Sequence, residues 1–196
     1  MKKANLVLLF TLLCASCGII NAQTTNTIPA KQQVAGIEMS NALSEDGTEM
    51  IQRPYKWWAG FAEVDKYSTA VSQATSDAYV TVAREFNNMV NMVVERGEIT
   101  TNGKVVDAVK SYWKQVADKL VKQCEVFGDA ETLRYPSEEN GNKYLIRAKV
   151  ALRGDYYIAL IDNAAKEAPK KVKGLTPAET KEVLDLNNAI LEQAKQ

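Results

Sequence analysis

The sequence predicts an α+β fold: a small antiparallel sheet, one strand plus a hairpin, covered by two long helices and followed by C-terminal helices. Three observations predict it. Residues 56–64 alternate from side to side with two tryptophans at the front, the period of a strand. Residues 65–124 repeat apolar residues at steps of three and four over two stretches, the period of helices. Residues 143–153 alternate again, behind a segment dense in turn formers.

In the first strand Trp57, Ala59 and Phe61 point to one face, and Trp58, Gly60 and Ala62 to the other. The adjacent tryptophans therefore cannot share a layer, and one is expected in the core with the other at a rim. Asp65 opens the longest helix, which runs to about residue 95 with Val71, Ala74, Ala78, Val82 and Phe86 on its stripe. Ala70, Ala74 and Ala78 let that backbone approach a sheet closely. A second helix over residues 105–124 buries Val109, Trp113, Val116, Leu120 and Cys124.

Residues 125–135 and 143–153 then read as a hairpin, with Asn140-Gly141 supplying the positive φ of its joint. Along the second arm Tyr144, Ile146, Ala148, Val150 and Leu152 face the core, while Arg147, Lys149 and Arg153 face water. Asp155 is expected to cap a third helix over residues 156–168, ended by Pro169. Thr176, Pro177 and Glu179 supply the cap, first-turn proline and capping-box acid of the last helix. Its stripe is Val183, Leu186, Ile190 and Ala194.

Four segments result. Residues 1–22 read as an export signal, and residues 23–53 as a tether and irregular lead-in. Within that lead-in, residues 35–43 show a weak helical pattern and residues 44–47 a turn. Residues 54–168 form the α+β core domain, and residues 169–196 a basic linker and C-terminal helix. The export reading rests on Lys2 and Lys3 ahead of an almost unbroken apolar run over residues 4–20. How the signal ends is open. A cut after Ala22 gives a periplasmic or secreted protein starting at Gln23. Alternatively, Ala15-Ser16-Cys17 resembles the end of a lipobox, which makes Cys17 the lipidation site of an outer-membrane lipoprotein, although Cys14 stands where such boxes carry Leu. The membrane would be touched only through that anchor.

Composition removes several functions. The 196 residues include no histidine, so Ser-His-Asp catalysis and His-containing zinc sites are excluded. Basic and acidic residues balance at 24 each, which argues against a nucleic-acid partner. Cys14, Cys17 and Cys124 are too few for a disulfide framework or a four-thiolate metal site, and Cys124 is expected in the core. No glycine-rich phosphate loop and no twelve-residue calcium loop occurs, so neither cofactor nor metal is expected.

Without histidine the surviving hydrolytic chemistry is a pair of carboxylates. Glu63 and Asp65 stand only two residues apart, where they more simply end the strand and cap the helix. No catalytic residue is assigned and no enzyme is expected. Tyr55, Trp57 and Trp58 are the candidate binding residues, because aromatic side chains offer contact area at modest entropic cost. The C-terminal helix is a second candidate contact. The run Lys166, Lys170, Lys171 and Lys173 reads as a solvated linker, with anionic lipid or a phosphorylated glycan as its alternative partner.

The aromatic strand Trp57-Trp58-Ala59-Gly60-Phe61, the alanine-stepped helix and the later strand Tyr144-Leu145-Ile146-Arg147-Ala148-Lys149-Val150 occur in a familiar order. Over roughly residues 54–154 this order resembles the LPP-twenty-type small envelope lipoproteins, whose fold is similar to the N-terminal domain of a flagellar assembly protein. The resemblance implies an outer-membrane or periplasmic place and a non-enzymatic role, and transfers no catalytic residue. The expectation is an exported, non-catalytic binding or structural module whose partner is an envelope protein, a glycan or a second copy of itself. Its alternatives are a carboxylate-dependent enzyme acting on cell-wall glycan, and a carrier of a small apolar ligand held between the long helix and the sheet.

Overall fold

A computed structural model of the chain describes residues 33–96, 103–172 and 174–195. The fold is α+β, as the patterns predict, with a sheet larger than one strand plus a hairpin. Five strands, β1 (Ala35–Leu43), β2 (Met50–Val64), β3 (Glu125–Val126), β4 (Glu131–Arg134) and β5 (Tyr144–Arg153), form one antiparallel sheet. Across it the order is β1, β2, β5 and then β3, with β4 also on the far side of β5. Four helices, α1 (Tyr67–Arg96), α2 (Gly103–Gln123), α3 (Gly154–Lys171) and α4 (Pro177–Ala194), pack on one face.

The largest departure lies in the lead-in. Residues 35–43 form a strand, and β2 begins at Met50 rather than Lys56, so the two make a long hairpin. The turn at residues 44–47 stands, closed by Gly47 N–H donating to the Ser44 carbonyl at 2.9 Å. β1 alternates, with Ile37, Met39 and Leu43 on the helix side of the sheet but exposed there, and Gly36, Glu38, Ser40 and Ala42 on the other face, so burial does not follow the strand period. Pro54 fits inside β2 because it lies just past the Tyr55–Arg153 pair, where β5 leaves the sheet and no ladder bond is required.

The α1 backbone sits directly on the sheet. A Cβ at Gly60 would overlap Ala78 N and the Ala74 carbonyl oxygen, so only glycine fits there. Ala70, Ala74 and Ala78 are fully buried along this contact. The side chain of Asp77 accepts from the Phe61 N–H at 2.9 Å and fixes the helix over β2. Farther along, Val82, Phe86 and Val90 meet Trp113, Val116 and Leu120 of α2 and Val183, Leu186 and Ile190 of α4. The last helix thus joins the main core through the stripe its spacing predicts. It starts as predicted, with the Thr176 and Glu179 capping box.

Three boundaries move for physical reasons. The expected arm over residues 125–135 breaks into β3 and β4 at Gly128, whose φ is 69°. β5 runs straight into α3 without a loop, so Asp155 lies inside the first turn rather than at its cap. There it accepts from Tyr156 N–H at 3.0 Å and from the Arg153 Nε at 2.7 Å. α3 also continues past Pro169 to Lys171, which brings Lys170 and Lys171 into the helix. Pro169 forfeits its own N–H bond two residues before the helix end, and Val172 N–H still reaches the Ala168 carbonyl at 3.1 Å.

Candidate functional site

Alternation along β2 sets Trp58 apart from Tyr55 and Trp57, which share the other face of the sheet. Trp58 faces the helices, 6.0 Å from the Tyr157 ring, and is 3% exposed. Trp57 faces the side of the sheet that, among the described residues, no helix covers, yet is only 5% exposed. The expectation of one core tryptophan and one rim contact is therefore corrected: both are buried, and on an interior strand rather than an edge. Trp57 lies flat because its cross-strand neighbour is Gly36, where a Cβ would come within 2.8 Å of its ring. The Arg147 guanidinium and the Lys149 ammonium stand 5.1 and 4.9 Å from its centroid and close it off from above.

Those cations are tied down in turn. Lys149 pairs with Glu38 at 2.7 Å, Arg147 with Glu131 at 3.5 Å, and Arg134 with Glu63. This open face is a lattice of paired charges over an aromatic floor. Glu63 is held within that lattice, while Asp65 lies in the two-residue link before α1.

Tyr55, two residues before Trp57 on the same face, packs against the same small cluster. Its ring packs on Phe127 at 5.2 Å, at one end of a groove of about 2040 Å³. The groove lies between α2 and α3 and turns around the β3 edge of the sheet. Residues 108–123 and 156–171 supply its walls, each running about 22 Å along its helix. Helical spacing directs Ser111, Tyr112, Gln115 and Lys119 into it from α2, and Tyr156, Asn163, Glu167 and Lys171 from α3. The Tyr112 hydroxyl donates to the Ala164 carbonyl at 2.8 Å and ties the walls together at depth.

Electrostatics in the groove are mixed. Burial, with Glu167 nearby, raises the Tyr112 phenol above its ordinary range. Glu167 is lowered, chiefly by its bond with Lys170 at 3.0 Å. Asp155, beside the groove, is lowered by Arg153. Tyr156 is 55% exposed, and the Arg153 guanidinium lies 4.0 Å from its ring centroid. Among the described residues no group of three or more Cys, Asp or Glu is placed to hold a metal.

Of the predicted binding residues, then, Tyr55 reaches the groove, while Trp57 and Trp58 are structural in placement. Cys17 lies outside the described residues, as does Lys173. Phe127, Tyr112, Tyr156, Gln115 and Asn163 were missed. The pairs Tyr112-Trp113 and Tyr156-Tyr157 held the available signal: neighbours on a helix stand about 100° apart, so one can enter the core and the other cannot. Trp113 and Tyr157 are buried, and the tyrosine beside each lines the groove.

No protein-family model, no curated protein and no solved structure matches the chain.

Proposed function

We propose that this is an exported, non-catalytic binding protein of the bacterial cell envelope, and that it holds strands of wall glycan in the groove between α2 and α3. The observation behind this reading is the groove's lining. The half-buried rings of Tyr55, Tyr112 and Phe127 and the exposed ring of Tyr156 share it with the amides of Gln115 and Asn163 and the hydroxyl of Ser111. A sugar chain presents apolar ring faces and a rim of hydroxyls, and a site of mixed rings and neutral polar groups complements both. The length of the walls suits an extended polymer better than a compact metabolite.

Binding without cleavage is favoured by the carboxyls that shift. A general acid for glycoside hydrolysis requires a raised carboxyl, and Glu167 and Asp155 move the other way. Export rests on residues 1–22, and the envelope setting on that segment together with the LPP-twenty-type resemblance. A carrier role between α1 and the sheet has little support, since the helix backbone rests on Gly60 with no room for a ligand at that level.

Co-sedimentation with purified peptidoglycan sacculi tests the proposal. The protein should pellet with sacculi, Tyr156→Ala and Asn163→Ala should leave more of it in the supernatant, and no soluble fragments should appear. A protein that stays in the supernatant overturns the glycan reading. Release of fragments that Glu63→Gln or Glu167→Gln abolishes would favour the enzymatic alternative.

A further inference from the structure

β1 forms one edge of the sheet, and β2 is its single strand neighbour among the described residues. Its hydrogen-bonding parity can be read from both ends. The Val34 carbonyl accepts from Ala59 N–H at 2.7 Å, and Ser44 N–H donates to the Glu49 carbonyl at 2.7 Å. Even-numbered residues between them therefore turn their peptide groups toward β2, and Ala35, Ile37, Met39, Asn41 and Leu43 turn theirs toward the open side. The same odd-numbered residues bear the apolar side chains. Ile37 is 65% exposed, Met39 56% and Leu43 57%, and Met50 opposite Leu43 is 63% exposed.

An open edge of this kind invites pairing, and soluble proteins ordinarily blunt it with lysine, proline or a bulge. β1 has none of these. Its nine residues include no Lys, Arg or Pro, and its register with β2 is unbroken from Ala35 to Leu43. The strand's one charge, Glu38, points to the opposite face and is held by Lys149 at 2.7 Å.

We propose that β1 is the pairing edge of a homodimer, in which the β1 strands of two copies lie antiparallel about a two-fold axis at Met39 and join two sheets into one. The strand is complementary to itself in that register. Ile37 falls opposite Asn41 of the other copy, Ala35 opposite Leu43, Glu38 opposite Ser40, and Gly36 opposite Ala42. All nine residues are paired, each outward-turned peptide meets another, and no charge faces a charge. An axis at Glu38 would instead set that carboxylate against its own copy, and an axis at Ser40 would leave Ala35 unpaired within β1. About ten backbone hydrogen bonds then cross the axis, and Ile37 and Met39 of both copies form one apolar strip on the helix side of the joined sheet. The contact is small, so assembly depends on concentration.

Sedimentation velocity over a wide concentration range tests the proposal, with backbone amide exchange on the same samples. The protein should pass reversibly from monomer to dimer, and the amides of Ile37, Met39 and Asn41 should exchange at least about tenfold more slowly in the dimer. Met39→Lys, at an exposed position, should abolish the dimer while Val80→Lys on α1 leaves it intact. A protein that is monomeric throughout overturns the proposal. So does a dimer in which exchange at those three amides is unchanged, a result that needs no variant to fold.

Discussion

The Trp113 indole N–H donates to the Asn187 side-chain oxygen at 2.6 Å, and neither residue is exposed at all. The amide's other end donates to the Val183 carbonyl at 2.6 Å, one turn back on α4. A polar bridge thus crosses the driest part of the core and fixes α2 against α4. Asn187→Leu removes the acceptor and strands the indole N–H, which should cost about 1–3 kcal/mol. Urea denaturation measures it. An unchanged midpoint would show that the bridge does not hold the two helices.

Gly60 makes a sharper prediction. Its missing side chain lets α1 lie on β2, and the atoms in the way are backbone rather than a movable side-chain tip. Gly60→Ala should push the helix off the sheet and cost about 3 kcal/mol or more, in the range of overpacked cores. Normal expression and an unaltered thermal midpoint would mean that the helix is seated elsewhere.

Trp57 and Trp58 should behave alike in stability despite facing opposite ways. Each is buried, so Trp57→Ala and Trp58→Ala should each lose about 3–5 kcal/mol. Tyr156→Ala, at an exposed ring, should change stability by less than about 0.5 kcal/mol. Were Trp57→Ala to leave stability intact, the cation-covered floor of the open sheet face would be a free surface after all.

Alkali should weaken the fold through two buried acids. Burial pushes the Cys124 thiol up to about 12, and the Tyr157 phenol likewise to about 12. From ordinary values of 9.0 and 10.0, the unfolded chain releases both protons first. The native state then holds more protons, and stability falls as pH rises. Their contribution is complete below about pH 9 and is lost between about pH 9 and 12. Urea midpoints should decline through that window, and Cys124→Ala should shallow the decline. A midpoint that stays level in both proteins would place the thiol and phenol in water.

Much of this architecture was legible where packing and periodicity agree. The alanine steps of α1, the stripe of α4, the Thr176 capping box and the alternation of β5 all bury what their spacing says they should. β1 was hard to read because its alternation is imperfect and unburied: Ile37, Met39 and Leu43 share the helix side of the sheet with Trp58 yet stay exposed, and Asn41 and Ala42 break the apolar–polar order. Trp57 misled for a related reason. Alternation places it on the helix-free face, but only the fold brings Arg147, Lys149 and Gly36 around it. The groove was the least legible feature, because its walls come from residues far apart in sequence. Only the tyrosines beside Trp113 and Tyr157 hinted at a second, wetter face.

The central claim is that ligand enters between α2 and α3 and not over the tryptophans. An NMR titration with soluble fragments of wall glycan addresses it most directly. Amide shifts should cluster at residues 108–123 and 156–171, with the side-chain amides of Gln115 and Asn163 among the largest, while the Trp57 indole signal stays in place. Shifts centred on Trp57 and its covering cations, or none along either helix, would contradict the account.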